Sequence, residues 1–121
     1  MDRIEEIIDR MLSVWNIEDP EERAVRVEKT LEHNVHFVDP PYNIVGRAAF
    51  LDMVAATRKA NPGLSYGRAS NVDVQNNFCR YDWTITRDSA IVMKGLDVVE
   101  FSDAGKILKV IGFFGPLEPL P

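Results

Sequence analysis

Two aspartates carry the residue types and surroundings that proton chemistry needs. Asp97 lies in the run Met93-Lys94-Gly95-Leu96-Asp97-Val98-Val99-Glu100-Phe101. Strict alternation puts Met93, Gly95, Asp97, Val99 and Phe101 on one face of a strand. A carboxyl among apolar neighbours loses hydration, which raises its pKa and favours the neutral acid. Such an acid can donate a hydrogen bond to a developing oxyanion. A structural reading stands beside it, with Asp97 bonded to a buried amide or to Arg80. Asp39 closes Val35-His36-Phe37-Val38-Asp39, ahead of Pro40 and Pro41. A carboxylate there can take a proton next to a carbonyl and return it at a neighbouring carbon. Equally, Asp-Pro ends strands, and Asp39 can bond the turn amides that follow.

Arg80 and Asp82 form an R-x-D pair sharing a strand face with Thr84 and Thr86, while Cys79, Tyr81, Trp83 and Ile85 take the other. Patterning alone buries the aromatic face and leaves Arg80 and Asp82 in water as a minor ion pair. The remaining candidates are weaker. His33 and His36 have no carboxylate or cysteine at ligand spacing, so no metal is expected. Cys79 has no adjacent activator and reads as an inert thiol. No Gly-rich phosphate loop or nucleophile elbow is present, and no cofactor is expected.

The elements that would position these residues are ordered, helices before strands. Ile4, Ile7, Ile8, Met11, Leu12 and Trp15 make a helical stripe, opposite Asp2, Glu5, Glu6, Asp9 and Arg10. Asp19 as cap, Pro20 in the first turn and Glu22 open a second helix, with Ala24, Val27 and Leu31 as its apolar stripe. The Glu18–Arg26 stretch is its solvated face. A short strand over 35–38 follows. A third helix begins after Gly46, carries Phe50, Met53, Val54 and Thr57 on one side, and stops at Asn61-Pro62-Gly63. Strands are expected at about 64–75, 78–86, 91–101 and 106–114, separated by turn residues, the last three as a meander. The residues after 114 read as an extended strap. The fold class is α+β, helices on one face of a curved antiparallel sheet, in one domain spanning 1–121.

Composition narrows the function. With 121 residues, 45% hydrophobic and 27% charged, the chain suits one core. Net charge is -5 and the basic residues are scattered, which argues against nucleic acid as a partner. No apolar run of about 18 residues exists to enter a membrane. The start, Met1-Asp2-Arg3-Ile4-Glu5-Glu6, lacks the basic-then-apolar order of a leader. One cysteine fits a reducing compartment, so a cytoplasmic protein is expected.

The element order and several strings resemble the cone-shaped superfamily of nuclear transport factor 2, SnoaL-like polyketide cyclases and ketosteroid isomerases. The carrying residues are Val35-His36-Phe37-Val38-Asp39-Pro40, Gly46-Arg47-Ala48-Ala49-Phe50, Gly95-Leu96-Asp97-Val98-Val99-Glu100-Phe101 and Gly105-Lys106-Ile107. The resemblance implies a sheet wrapped around three helices, an enclosed apolar pocket holding a small apolar molecule, and a homodimer through the outer sheet face. Met11, Trp15, Phe37, Phe50, Thr84, Val99, Phe101, Val110 and Phe114 are expected to line that pocket. Asp39 is similar to the isomerases' proton-shuttling base, and Asp97 falls where they keep a protonated aspartic acid. Counted back from Asp97 without a gap, Arg80, Asp82 and Thr84 also face the pocket. Tyr81 and Trp83 then lie outside, as dimer contacts.

The implied activity is a cofactor-independent isomerase or cyclase acting on an apolar carbonyl compound. Asp39 moves the proton, Asp97 as neutral acid stabilises the enolate, and Arg80, held by Asp82, supplies positive field. Water addition of the epoxide-hydrolase kind, with Asp82 as base, is a variant. A non-catalytic binding or dimerisation module is the alternative. Both enzyme templates are incomplete: Met11 stands at the isomerases' helix tyrosine. Gly112 takes the place of the hydrolases' second aspartate, and Phe37 and Asp39 take the places of their tyrosine and asparagine.

Overall fold

The computed structural model describes residues 3–121. Met1 and Asp2, the latter expected on the wet side of the first helix, lie outside the described residues. Helix α1 (Ile4–Ser13) buries Ile7, Ile8, Met11 and Leu12, and a 3₁₀ turn (Val14–Asn16) continues it and buries Val14 and Trp15. Helix α2 (Pro20–Thr30) starts as expected, with Asp19 accepting from the Glu21 N–H at 3.1 Å and Pro20 in the first turn. Its buried stripe is Arg23, Val27 and Thr30. Ala24 is exposed and Leu31 already belongs to the next strand, so two of the three expected stripe residues are corrected. Arg23 can be buried because its guanidinium donates to the Ile17 and Glu18 carbonyls, at 2.8 and 2.9 Å.

Strand β1 (Leu31–Asp39) is longer than its apolar centre suggested, and it turns back at once into β2 (Tyr42–Val45), which the sequence reading omitted. Gly46, at φ +100°, sets the entry to α3 (Arg47–Ala60), which buries Phe50, Met53 and Val54. The expected strand at 64–75 is two short pieces, β3 (Ser65–Arg68) and β4 (Asp73–Gln75), both paired to β5 (Phe78–Arg87). Strands β6 (Ala90–Phe101) and β7 (Ile107–Phe114) complete the meander.

The main path of the sheet runs β2-β1-β7-β6-β5-β3. Strands β1 and β7 pair in parallel, so the sheet is mixed, where an antiparallel one was expected. This pairing brings the end of β1 beside the end of β7 and joins sequence-distant residues in the middle of the sheet. Bulges interrupt β5/β6, β6/β7 and β1/β7 and curve the sheet over the helices. The α+β cone is as expected. Among the described residues no helix is long and apolar enough to cross a membrane.

Candidate active site

One bulge determines which residues face the cavity. At the β5–β6 hairpin, Arg87 pairs with Ala90 and Thr86 with Ile91, but Ile85 pairs with Met93, leaving Val92 as the extra residue. Beyond it Tyr81 pairs with Asp97. Without the extra residue Arg80 would stand opposite Asp97, which is the register the gapless count gave. A one-residue slip turns every side chain to the other face. Cys79, Tyr81, Trp83 and Ile85 therefore point inward and are buried. Burying two large aromatic rings is also the more favourable choice. Arg80 and Asp82 point to solvent, and Arg80 pairs with Asp73 at 2.8 Å, with both side chains 67% exposed. The expected pocket positions of Arg80, Asp82 and Thr84 are thus corrected, as is the placing of Tyr81 and Trp83 on an outer contact face. Asp82 and Thr84 border an open groove on the convex face, beside Leu96 and Phe113, and do not share the cavity that Asp39 and Asp97 line.

The inward side chains of Tyr81 and Trp83 converge on Asp97. The Tyr81 hydroxyl donates to Asp97 Oδ2 at 2.7 Å, and the Trp83 indole Nε1–H donates to Oδ1 at 3.0 Å. Trp83 reaches it by crossing β6 over Gly95, where a Cβ would overlap the indole and the Phe113 carbonyl oxygen. Gly95 is a space requirement. Burial of Asp97 pushes its carboxyl up to about 6, with the two donors opposing the rise and the charge of Asp39 adding to it. Both partners donate, so the network holds the ionised form. The upward shift is in the direction expected from its apolar surroundings, and the two donors are what limit it. Burial raises the Tyr81 phenol well above its usual value and the negative charge of Asp97 adds to this, so Tyr81 stays a neutral donor. The Cys79 thiol is pushed up to about 12 by burial, then by Asp97.

Asp39 reaches the same place from the other side of β7. Asp97 pairs with Gly112, Val38 with Ile111, and Asp39 with Tyr42. The result is one row across five strands, Tyr81–Asp97–Gly112–Asp39–Tyr42, all on the concave face. A Cβ on Gly112 would lie 3.0 Å from Asp97 Oδ1 and 3.3 Å from Asp39 Cβ. The missing side chain leaves a gap between the two aspartates, whose Cα atoms are about 10 Å apart at two strand spacings. The Asp39 carboxyl is also raised, by burial, against the Tyr42 N–H that donates to its Oδ1 at 3.1 Å.

These residues open into a cavity of about 210 Å³. Asp39, Asp97, Trp15, Phe37 and Phe114 line it as expected; Met11, Phe50, Val99, Phe101 and Val110 are solid core behind it. The sequence reading missed Tyr42, Tyr66 and Trp83 on its wall. Tyr66 lies on β3, locked to the 3₁₀ turn by Asn16. That side-chain amide donates to the Tyr66 carbonyl and accepts its N–H, both at 2.8 Å. Arg58 of α3 ties down the same turn by donating to the Trp15 carbonyl at 2.7 Å. Trp15 stacks on Tyr66 with ring centres 5.5 Å apart. Burial raises the Tyr66 phenol, and Asp39 and then Tyr42 add to this. It remains a neutral donor near Asp39. His36 faces away, bonded to Asn43 at 2.7 Å.

Comparison with protein-family models and with curated proteins finds no match. Solved structures do match. A candidate isomerase of the SnoaL-like family from Agrobacterium tumefaciens C58 superposes with a TM-score of 0.87 at 32% identity, over 92% of this chain and 96% of that one. An NTF2-like protein of unknown function from Exiguobacterium sp. 255-15 has a TM-score of 0.73 at 16% identity, over 92% and 99%. A candidate SnoaL-like polyketide cyclase from Jannaschia sp. CCS1 has 0.73 at 16%, over 94% and 90%. The last two speak for the fold alone.

Proposed function

The chain belongs to the SnoaL-like family, and from that premise we propose that its cavity runs a cofactor-independent isomerase- or cyclase-type reaction on a small, largely apolar carbonyl compound. The observation that carries the reading is Asp97, a buried carboxylate bounding the cavity, fixed by two donors, with a pKa of about 6. A base works best when its pKa lies near the working pH, which supports Asp97 as the base in this reading. Asp97 takes a proton from the carbon next to the carbonyl; the C–H electron pair becomes a C=C bond and the carbonyl π pair moves onto oxygen, giving an enolate. The Tyr66 hydroxyl is the neutral donor suited to that oxygen. Asp97 then returns the proton at a conjugated carbon, or the enolate carbon attacks a second carbonyl within the substrate, whose π pair moves onto oxygen and takes the proton back from Asp97. The apolar walls keep water from quenching the enolate.

A single-ring β,γ-enone, cyclohex-3-enone, tests this by its conversion to the conjugated enone. The parent protein should accelerate the conversion, and Asp97→Asn should lose at least about a hundredfold of that rate. Equal rates in the two proteins would overturn the proposal. Saturable binding of the enone without conversion by the parent would favour the ligand-binding module.

The homodimer belongs to the same proposal, on the convex face of the sheet. There Leu96 pairs with Phe113 and Val98 with Ile111, all pointing away from the cavity, and Phe113 is 58% exposed. Sedimentation should show a dimer that Phe113→Asp separates.

A further inference from the structure

The cavity contains two carboxylates and, among the described residues, no lysine, arginine or histidine in its lining. The rest is apolar or aromatic apart from the neutral polar side chains of Thr57 and Asn61. A carboxylate or phosphate on a ligand would meet two like charges with nothing to pair it, in a chain of net charge -5. Asp39 is the accessible member of the pair. It is half-buried, and its Oδ1 accepts from Tyr42 N–H. Among the described residues no donor reaches its Oδ2. Beside it lie a narrow gap over Gly112 and the rings of Tyr42 and Tyr66. Even a methyl carbon in that gap would crowd Asp97 Oδ1 at 3.0 Å, a separation that suits an N–H donor. Carboxylate, aromatic walls and a vacant side-chain position together suit an ammonium group.

Resting on the reading that this cavity is the reaction site, we propose that its substrate is a small amino carbonyl compound whose protonated amine pairs with Asp39 over Gly112. Asp97 then faces the carbon that carries the amine. The Asp39 contact serves recognition, and the Asp97 contact serves proton transfer. The ammonium also withdraws electron density from that carbon and makes its proton more acidic. With a cavity of about 210 Å³, below the usual range for drug-sized ligands, the substrate holds one ring or a short chain.

Three probes of one shape test the proposal: benzylamine, benzyl alcohol and benzoate, titrated at pH 7 and followed by amide chemical shifts of cavity residues. Benzylamine should bind at least about tenfold more tightly than benzyl alcohol, and benzoate least. In Asp39→Asn, which keeps the acceptor for Tyr42 N–H, the preference for the amine should fall to near parity while alcohol binding is unchanged. Gly112→Ala should weaken the amine more than the alcohol. Alcohol as tight as amine in the parent, tighter benzoate, or no detectable amine binding at millimolar concentration would each overturn it. No amine preference in the parent, with the Asp97-dependent enone conversion intact, removes this inference alone. Failure of the conversion with the preference intact removes the catalytic reading and leaves an amine-binding cavity.

Discussion

Replacing Asp97 by Asn should make the protein more stable at neutral pH while removing its proposed base. Burial lifts the Asp97 carboxyl from 3.8 to about 6, so between those values the folded state keeps a proton that the unfolded chain has shed. Stability is therefore full below about 3.8, falls as pH rises through 6, and stays low above it. At about 1.4 kcal/mol per pH unit, the ionised carboxylate costs the fold about 3 kcal/mol at pH 7. Asn is isosteric and neutral, so it escapes that penalty. Its amide must face one of the two donors, and the Tyr81 hydroxyl can rotate to accept from it, which leaves a net gain of about 2 kcal/mol. Urea unfolding of parent and variant at several pH values from 4 to 8 measures the difference, with titrations common to both proteins cancelling. The variant should be the more stable at pH 7, and the gap should close toward pH 4. A variant less stable by the same amount at both pH values would refute the argument, because it would make Asp97 a structural hydrogen-bonding residue with no buried-charge cost.

Trp83→Phe removes a donor that holds the Asp97 carboxyl down, so its midpoint should move above 6 in a carboxyl-carbon NMR titration, and the rise of enone conversion with pH should move up with it. An unmoved midpoint would show that the 3.0 Å contact does not act on the carboxyl. Gly95→Ala drives a methyl into the Trp83 ring and the Phe113 carbonyl, and should cost about 1–3 kcal/mol in denaturant unfolding. Arg80→Ala and Asp82→Asn should each change stability by less than about 0.5 kcal/mol and leave conversion unchanged, since both face water. A large loss of activity in either would mean that the cavity register is wrong.

Local pattern was enough for much of this. Alternation put Met93, Gly95, Asp97, Val99 and Phe101 on one face, and Asp19-Pro20 marked a helix start, because periodicity and capping depend on residues within a turn or two. The resemblance carried Asp39 and Asp97 to one cavity, and the parallel β1–β7 pairing, which no local pattern specifies, puts them in one row. Three features needed the tertiary structure. A single extra residue at Val92 reversed the faces of β5, and patterning, which weighs aromatic burial, had the correct side where gapless counting did not. Tyr42 and Tyr66 sit on short strands with weak alternation, and their place in the wall comes from pairing with Asp39 and from the Asn16 side chain. The titration of Asp97 depends on two donors whose sequence distance, 14 and 16 residues, hides that they meet. The sequence by itself determined which side chains are apolar and how each segment alternates. The tertiary structure determined how far burial raises each carboxyl, because desolvation and donor geometry exist only once the strands are in register.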